Sequence, residues 1–437
     1  MGKIITAIDI GTTKIVAIVG ELNEEGKVKI LSKGIVATPQ KSVKKGMVQN
    51  IGVVSNAIQK AVEIAEEKSD VTFKSAFIGI AGQHIKSIQN SHQVLVSAND
   101  NIITEEDVNK IMYEIKAMSF EETTEVIDVI PQTYTVDYET DIDEPVGRFG
   151  TKLSGNFHII IGDTAGTKNI KRCVEHGGIE VNELFLEPIA SASAVLTEDE
   201  KDGGVVLVDI GGGTTDIAIF YEGILRHTAV IPFGGDIITS DIKSAYNILH
   251  KYAERLKLEC GTALSEFSDK NTLAVIPGIS GRPPKEIAVS ELSKVIQARM
   301  EEIIDIINYE IINSGYADKL AAGIALTGGG SLLKHLPQLM KFRTGLEVKL
   351  SKPLNSIFID VDKETSPKLS TAYGLVYLGL INDDKVKIKS TKKEKRKKNN
   401  KNSKKEKNFF KGLINNVVEK TIQGSIDFFE DNDTEIN

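Results

Sequence analysis

Short runs of apolar, mostly β-branched residues alternate along the chain with longer segments in which apolar positions recur at helical spacing. Residues 4–10, 205–208 and 217–220 are of the first kind and predict strands that are buried on both faces. Residues 51–67 and 290–314 are of the second kind and predict amphipathic helices. The alternation therefore predicts an α/β fold.

Glycine-rich turns follow three of the strand-like runs. DIGTTK occupies residues 9–14, DIGGGTTD occupies residues 209–216 and TGGGS occupies residues 327–331. Glycines lack a Cβ atom, so backbone N–H groups can approach an anion closely, and threonine hydroxyls add donors. A hairpin that only reverses the chain explains one such turn. Two copies of the same sequence motif favour a clamp that holds a phosphate chain and its metal from both sides.

Glu187 stands just before a predicted helix rich in small residues, 190–194. A carboxylate beside a phosphate site can orient a hydrolytic water. The small residues on their own indicate close packing of helix backbones.

A second candidate region follows the DIGGGTTD turn. Gly234 and Gly235 precede a helix start, where free N–H groups and the positive end of the helix dipole attract anions. A further helix is predicted over residues 246–258. Glu254 and Lys257 point to one side of it, a spacing for which an ordinary surface pair is the simpler explanation.

Composition limits the function classes. The chain has 437 residues, 41% hydrophobic and 26% charged, which is typical of a soluble protein with several domains. Cys173 and Cys260 lack metal-ligand spacing and predict a reducing compartment. The net charge of −8 is unevenly distributed, because residues 385–407 contain 13 Lys and Arg but only 2 Glu. An acidic body on a basic tether does not fit a general nucleic-acid binder.

The C-terminal segment has its own pattern. Residues 385–407 are too polar to be buried and predict a disordered tether. Residues 408–430 predict an amphipathic helix that is too polar to span a bilayer but suited to lie in its interface. Docking into a groove of a partner protein is an alternative use of such a helix. Its apolar face contains Phe409, Phe410, Leu413, Ile414, Val417, Val418, Ile422, Ile426, Phe428 and Phe429.

DIGTTK, EPIASA, DIGGGTTD, GGD, AERLK and TGGGS, in this order, resemble the nucleotide-binding set of the actin, Hsp70 and sugar-kinase superfamily. The resemblance implies an actin-like (ribonuclease H-like) fold, in which two related α/β domains, each around a five-stranded mixed sheet, close on ATP and Mg²⁺. Asp9 and Asp209 would hold the metal, and Glu187 would position the water. Glu254 and Lys257 would reach the ribose and adenine. The phosphates would meet Gly11, Thr12, Thr13, Lys14, Gly211, Gly212, Gly213, Thr214, Thr215, Gly234 and Gly235, and the adenosine would meet Gly328, Gly329, Gly330 and Ser331.

Within the superfamily the chain resembles the FtsA family of bacterial cell-division proteins. The resemblance rests on an α+β insert over residues 84–162, on SGRPPKEI at 280–287, and on the basic linker with its amphipathic end. It implies subdomain 1A at 1–83 and 163–197 with a helix near 366–382, 1C at 84–162, 2A at 198–225 and 312–365, and 2B at 226–311. A basic linker at 383–407, a membrane-targeting helix at 408–430 and an acidic tail at 431–437 would follow.

The FtsA resemblance implies an ATP-binding protein with at most weak ATPase activity. It would polymerise into actin-like filaments on the cytoplasmic face of an anionic membrane at the division site. It would bind the C-terminal peptide of FtsZ through subdomain 2B, recruit later division proteins, and bind no nucleic acid. A pilus-assembly adaptor with a similar insert and a small-molecule kinase of the same superfamily are the alternatives.

Overall fold

The computed structural model describes residues 3–120, 122–278, 283–359, 361 and 366–382. The chain divides into a compact unit of residues 1–380 and a second unit of residues 381–437. The predicted linker, amphipathic helix and acidic tail lie outside the described residues. Within the described part, no helix is both long and apolar enough to cross a membrane.

The first sheet has six strands, and its central strands are almost wholly buried. The N-terminal hairpin is antiparallel, whereas the strands that flank it on the other side run parallel to its first strand. The sheet therefore has one strand more than the five expected, and the additional strand is a two-residue strand at the edge. In spatial order the strands are Glu180–Leu186, Ser75–Ile80, Ile4–Ile10, Lys14–Leu22, Val28–Ala37 and Phe358–Ile359.

The second sheet has the five strands that the sequence predicts, and it repeats the arrangement of the first. An antiparallel hairpin is continued on one side by an antiparallel edge strand and on the other by two parallel strands. The residues of Val205–Ile210 are all buried, as expected of a strand covered on both faces. The order is Ile224–Ile231, Thr215–Tyr221, Val205–Ile210, Ile324–Thr327 and Val348–Leu350.

A third sheet, here called the insert sheet, is antiparallel and packs on the helix Glu105–Lys116 around buried Phe157. That helix begins with a capping box, in which the carboxylate of Asp107 accepts hydrogen bonds from the Thr104 N–H at 2.9 Å and from its hydroxyl at 2.8 Å. The strands are Lys86–Leu95, Lys152–Asp163, Thr124–Val136 and Glu139–Ile142.

The insert sheet also contacts the second sheet at its edge strand, Ile224–Ile231. The His158 imidazole lies 3.0 Å from the Thr228 hydroxyl, and Gln132 donates to the Leu225 carbonyl at 2.9 Å. Ser87 donates to the Thr228 carbonyl at 2.9 Å. The insert is therefore joined to both halves of the fold.

Helices pack on both sheets, and the described residues also include two short strand pairs. The helix predicted over 246–258 begins at His250 instead, because Asn247 takes a left-handed conformation (φ 47°) and ends the preceding helix at Tyr246. Other α-helices are Ile51–Ser69, Thr164–Glu175, Glu187–Val195, Glu198–Gly203, Gly235–Tyr246, Val289–Asn313, Leu336–Thr344 and one that begins at 370 and is described to 382. Short 3₁₀ turns are Ser265–Phe267, Ala317–Lys319, Gly330–Leu332 and Ser366–Leu369, and the strand pairs are Val43–Lys44 with Met47–Val48 and Leu273–Ile276 with Lys285–Ala288.

The close packing indicated by the small residues of 190–194 is confirmed. Ala190, Ala192 and Ala194 are fully or almost fully buried in the layer between the two sheets. A Cβ atom added to Gly374 would lie 1.7 Å from the Ala190 carbonyl oxygen. The helix that begins at 370 therefore rests backbone to backbone on Glu187–Val195.

Candidate functional site

The two hairpins close through the same kind of turn. In the first turn, residues 11–14, the Gly11 N–H donates to the Lys14 carbonyl at 3.0 Å. In the second turn, residues 211–214, the Gly211 N–H donates to the Thr214 carbonyl at 2.9 Å. Each turn thus directs its remaining backbone groups away from its own sheet.

The structure brings the first and second turns into contact with each other. A Cβ atom at Gly212 would lie 2.3 Å from the Thr13 methyl carbon, and one at Gly213 would lie 2.5 Å from the Thr12 hydroxyl oxygen. Glycine at these two positions therefore allows the turns to approach each other, a role separate from any contact with an anion. The duplicated motifs therefore form one site between the two halves of the fold.

Four carboxyl groups lie around the paired turns, the buried Asp9, Asp209 and Asp216 and the partly buried Glu187. Burial raises the pKa of Asp9 to about 6, against the lowering effect of Lys14. Burial and the charge of Asp209 raise the pKa of Asp216 to about 8. Burial, followed by the charges of Asp9 and Asp216, raises the pKa of Glu187 well above its ordinary value. Desolvation, with the mutual repulsion of these groups, disfavours their ionised forms, and a cation bound among them would favour those forms.

Asp209 is fixed by three separate elements. The Ser191 hydroxyl donates to its carboxylate at 2.7 Å, and the Thr371 hydroxyl lies 3.4 Å from the same oxygen. A Cβ atom at Gly328, where φ is +86°, would lie 2.2 Å from the other carboxylate oxygen. The third glycine turn is therefore shaped around Asp209.

Glu187 is the first residue of the helix Glu187–Val195, whereas the sequence placed it just before that helix. A Cβ atom at Gly79 would lie 3.1 Å from a Glu187 carboxylate oxygen. Gly79 belongs to the buried strand Ser75–Ile80, so its missing side chain leaves space for the carboxylate. Sheet and helix together place Glu187 beside the turns.

Glu254 and Lys257 form an ion pair with a 2.8 Å separation between the ammonium and the carboxylate. The Lys257 ammonium also donates to the Gly235 carbonyl at 2.9 Å and to the Thr239 hydroxyl at 2.9 Å. The pair is therefore attached to the start of the helix Gly235–Tyr246, which a simple surface pair would not be.

The prediction of free N–H groups at that helix start is wrong for two of them. The Gly235 N–H donates to the Gly211 carbonyl at 2.9 Å, and the Asp236 N–H donates to the Gly212 carbonyl at 2.8 Å. A Cβ atom at Gly234 would lie 2.6 Å from the Gly211 carbonyl. Gly234 and Gly235 thus support the second turn, and the carbonyls of that turn satisfy the N–H groups.

Three hydroxyls predicted to face a ligand are instead used inside the protein. The Thr215 hydroxyl donates to the Phe233 carbonyl at 2.9 Å, and the Thr214 hydroxyl donates to an Asp216 carboxylate oxygen at 3.2 Å. The Ser331 hydroxyl donates to the Gly328 carbonyl at 2.6 Å. These side chains shape the turns, so their hydroxyls are not free donors.

Of the third glycine turn, Gly329 is the residue with open space around it. The nearest atom to a Cβ at Gly329 would be the Lys368 Cγ, at 4.0 Å. A Cβ at Gly330 would lie 2.4 Å from an Ile210 methyl carbon, so this glycine serves packing. A flat ligand group therefore has room over Gly329.

Asp216 is the site residue that the sequence reasoning left without a role. It pairs in register with Asp209 across the hairpin, and its Oδ1 is buried without a hydrogen-bond partner. A carboxylate in the otherwise apolar strand Thr215–Tyr221 was the available signal, because a buried charge there requires a reason. No local pattern marks Ser191 or Thr371.

Solved structures show the fold class. The chain matches the pilus protein structure described as "PilM-PilN type IV pilus biogenesis complex" with a TM-score of 0.62 and 15% identity, over 86% of this chain and 98% of that one. It matches MreB5 of Spiroplasma citri bound to ADP with a TM-score of 0.54 and 15% identity, over 88% and 98% of the two chains. The fold is actin-like.

Sequence comparison then gives the family. The family model "Cell division protein FtsA" matches residues 206–374, and the model of the SHS2 domain inserted in FtsA matches residues 82–161. FtsA of Pseudomonas aeruginosa is 38% identical over 379 residues, 87% of this chain and 90% of its own. FtsA of Escherichia coli K12 is 35% identical over 384 residues, 86% of this chain and 90% of its own. The chain belongs to the FtsA family of actin-like cell-division proteins, which decides against the pilus-adaptor and kinase alternatives.

Proposed function

We propose that the cleft between the two turns binds ATP together with Mg²⁺. The observation that carries the proposal is the contact of two like glycine turns beside three buried carboxyl groups and the partly buried Glu187. Mg²⁺ prefers oxygen ligands and takes one or two carboxylates together with substrate phosphates. Among the described residues, no group of three or more His, Cys, Asp or Glu side chains is placed to hold a metal ion.

Each part of the site then has a role. Backbone N–H groups of residues 12–14 and 212–214 bind the phosphate oxygens, with the Lys14 ammonium beside them, because the N–H groups of Gly11 and Gly211 already close the turns. Asp9 and Asp209 hold the metal, which neutralises phosphate charge when bound. Ser191 keeps Asp209 in place by its hydrogen bond of 2.7 Å.

Glu187 and the Glu254–Lys257 pair complete the proposal. Glu187 faces the turns from a partly buried position in which its carboxyl group favours the protonated form. A bound cation would lower its pKa, and Glu187 would then position the hydrolytic water. The Glu254–Lys257 pair receives the ribose and adenine. Gly329 leaves room for the adenosine, because only one atom lies as near as 4.0 Å to the position of a Cβ there.

Titration calorimetry of the protein with ATP and MgCl₂ tests the cleft. Asp209→Asn keeps the shape but removes the charge, and we expect it to weaken Mg-ATP binding by at least about tenfold, since one lost charged contact has that effect. Asp202→Asn, an exposed position on the same half, is the matched control. Absence of binding by the natural chain, or equal affinity of the two variants, would contradict the proposal.

For the whole chain we propose an ATP-dependent adaptor at the division site. Filaments of the actin-like body would present many copies of the amphipathic segment 408–430 to the cytoplasmic membrane face, and multivalency would make weak individual binding tight. Attraction to anionic lipid would come from the basic residues of 385–407, at up to about 1 kcal/mol each near the surface. FtsZ would be held by its C-terminal peptide at residues 226–311, and later division proteins at the insert.

Co-sedimentation with anionic liposomes in the presence of ATP tests the membrane role. The full chain should pellet, and a chain that ends at Lys407 should stay in the supernatant while binding ATP as before. Equal pelleting of the two chains would exclude residues 408–430 as the anchor. Adding FtsZ, with and without its C-terminal peptide, to the same assay tests the partner, because only intact FtsZ should pellet with the full chain.

A further inference from the structure

A lysine of the first half of the fold reaches across the cleft to the second half. Lys45 stands at the tip of the strand pair Val43–Lys44 and Met47–Val48. Its ammonium lies over the Phe233 ring, 5.3 Å from the ring centroid. No carboxylate of the described residues lies within ion-pair distance of Lys45. The lysine is therefore held by an aromatic face and not by an opposite charge.

The backbone of this tip is held in an uncommon conformation. Lys45 has φ 51° and Gly46 has φ 75°, both in the left-handed region. A Cβ atom at Gly46 would lie 2.5 Å from the Gly82 Cα, and the Gln83 N–H donates to the Lys45 carbonyl at 3.3 Å. The left-handed region is unfavourable for lysine, and such strain persists where the surroundings enforce it, often at functional sites.

Both ends of the Lys45–Phe233 contact are connected to the paired turns. On the side of Lys45, the preceding Thr38 donates from its N–H to the Thr13 carbonyl at 3.0 Å and from its hydroxyl to the Gly11 carbonyl at 2.7 Å. On the other side, the Phe233 carbonyl accepts the Thr215 hydroxyl at 2.9 Å. Phe233 therefore adjoins the second turn, and Lys45 contacts its ring from the half of the fold that carries the first turn.

We propose that Lys45 contacts the terminal phosphate of the nucleotide and so distinguishes a nucleoside triphosphate from a diphosphate. This rests on the ATP site proposed above. A cation–π contact with the partly buried Phe233 ring is weaker than a hydrogen bond between ionised groups. The flexible side chain can therefore leave Phe233 for a phosphate. Because Lys45 and Phe233 belong to opposite halves, this exchange makes a cross-cleft contact depend on the third phosphate.

Titration calorimetry with Mg-ATPγS and Mg-ADP on the full chain tests the proposal. We expect Lys45→Gln to weaken ATPγS binding by about tenfold, the loss of one charged contact, and to change ADP binding by less than about threefold. Lys44→Gln, an exposed neighbour on the same hairpin, should leave both affinities unchanged. Lys45→Arg should retain most of the preference for the triphosphate, because it keeps the charge.

The outcomes separate this inference from the ATP site itself. If Lys45→Gln weakens both nucleotides equally, or neither, while the natural chain binds both, the discrimination by Lys45 is refuted and the ATP site stands. If the natural chain binds neither nucleotide, both proposals fail. Thermal unfolding of each variant shows whether the hairpin is intact. If Lys45→Gln is destabilised, Lys45→Met replaces it, and its ATPγS and ADP affinities relative to the natural chain decide in the same way.

Discussion

Replacing Gly374 by alanine should push apart the two helices that meet between the sheets. The added Cβ atom would lie 1.7 Å from the Ala190 carbonyl oxygen and 2.3 Å from the carbonyl carbon. Both are backbone atoms, so no side-chain rotation relieves the clash. The helices must separate by more than an ångström, in a layer where Ala190, Ala372 and Leu375 are fully buried.

The size of the effect follows from two opposing contributions. Overpacking of a core costs about 1–3 kcal/mol, and a clash with backbone belongs to the upper part of that range. Alanine in place of glycine inside a helix stabilises it by up to about 1 kcal/mol. The expected net loss is therefore about 1–2 kcal/mol in the free energy of unfolding. The same shift should weaken Mg-ATP binding, because Ser191 and Thr371 hold Asp209 from these two helices.

Urea unfolding followed by circular dichroism measures the loss, and Gly52→Ala is the matched control. Gly52 also lies in a helix, Ile51–Ser69, but its added Cβ would meet only the Asn50 carboxamide oxygen at 3.8 Å. Gly52→Ala should therefore be neutral or stabilising, opposite in sign to Gly374→Ala. If Gly374→Ala is as stable as Gly52→Ala, the two helices do not pack as closely as the structure places them.

Three further predictions concern pH and the paired turns. Burial lowers the pKa of His158 to about 4, whereas the unfolded chain takes up this proton near pH 6.5, so the free energy of unfolding falls as pH falls from 6.5 to 4. His158→Gln should reduce this fall, as measured by urea titrations at each pH. Because the pKa of Asp216 is raised to about 8, its ionisation destabilises the nucleotide-free fold as pH rises from 4 to 8; Asp216→Asn should therefore be more stable than the natural chain at pH 8 but not at pH 4. Gly213→Val should separate the two turns and weaken Mg-ATP binding by at least about tenfold in calorimetry, whereas Gly223→Asn on an open surface turn should not.

Local pattern was sufficient to predict most of the fold. Val205–Val208 is apolar and Val205–Ile210 is buried throughout, and the glycine turns stand where the strand signals end. The insert helix begins where Thr104 and Asp107 predict it. These features depend on neighbours a few residues away, which a sequence displays directly.

Contacts between distant segments were not predictable in the same way. Thr371 lies beside Asp209 although 162 residues separate them in the chain, and Gln132 meets Leu225 across 93 residues. The hydroxyl of Thr215 was expected to face a ligand, yet it donates to Phe233. Which partner a donor finds depends on the packing of whole sheets, and a motif identifies the donor but not its acceptor.

Two neighbouring strands of the second sheet, Ile224–Ile231 and Thr215–Tyr221, connect the insert to the second turn. His158 and Gln132 of the insert sheet bind Ile224–Ile231 at the edge of the second sheet. That strand pairs antiparallel with Thr215–Tyr221, whose first residue follows directly on the second turn. A partner that tilts the insert would therefore act on Ile224–Ile231. One strand, Thr215–Tyr221, separates it from the second turn, whose Gly212 and Gly213 meet Thr13 and Thr12. The hydrogen bonds of His158 and Gln132 to that strand are buried, so a tilt that broke them would leave polar groups unsatisfied unless Ile224–Ile231 moved with the insert.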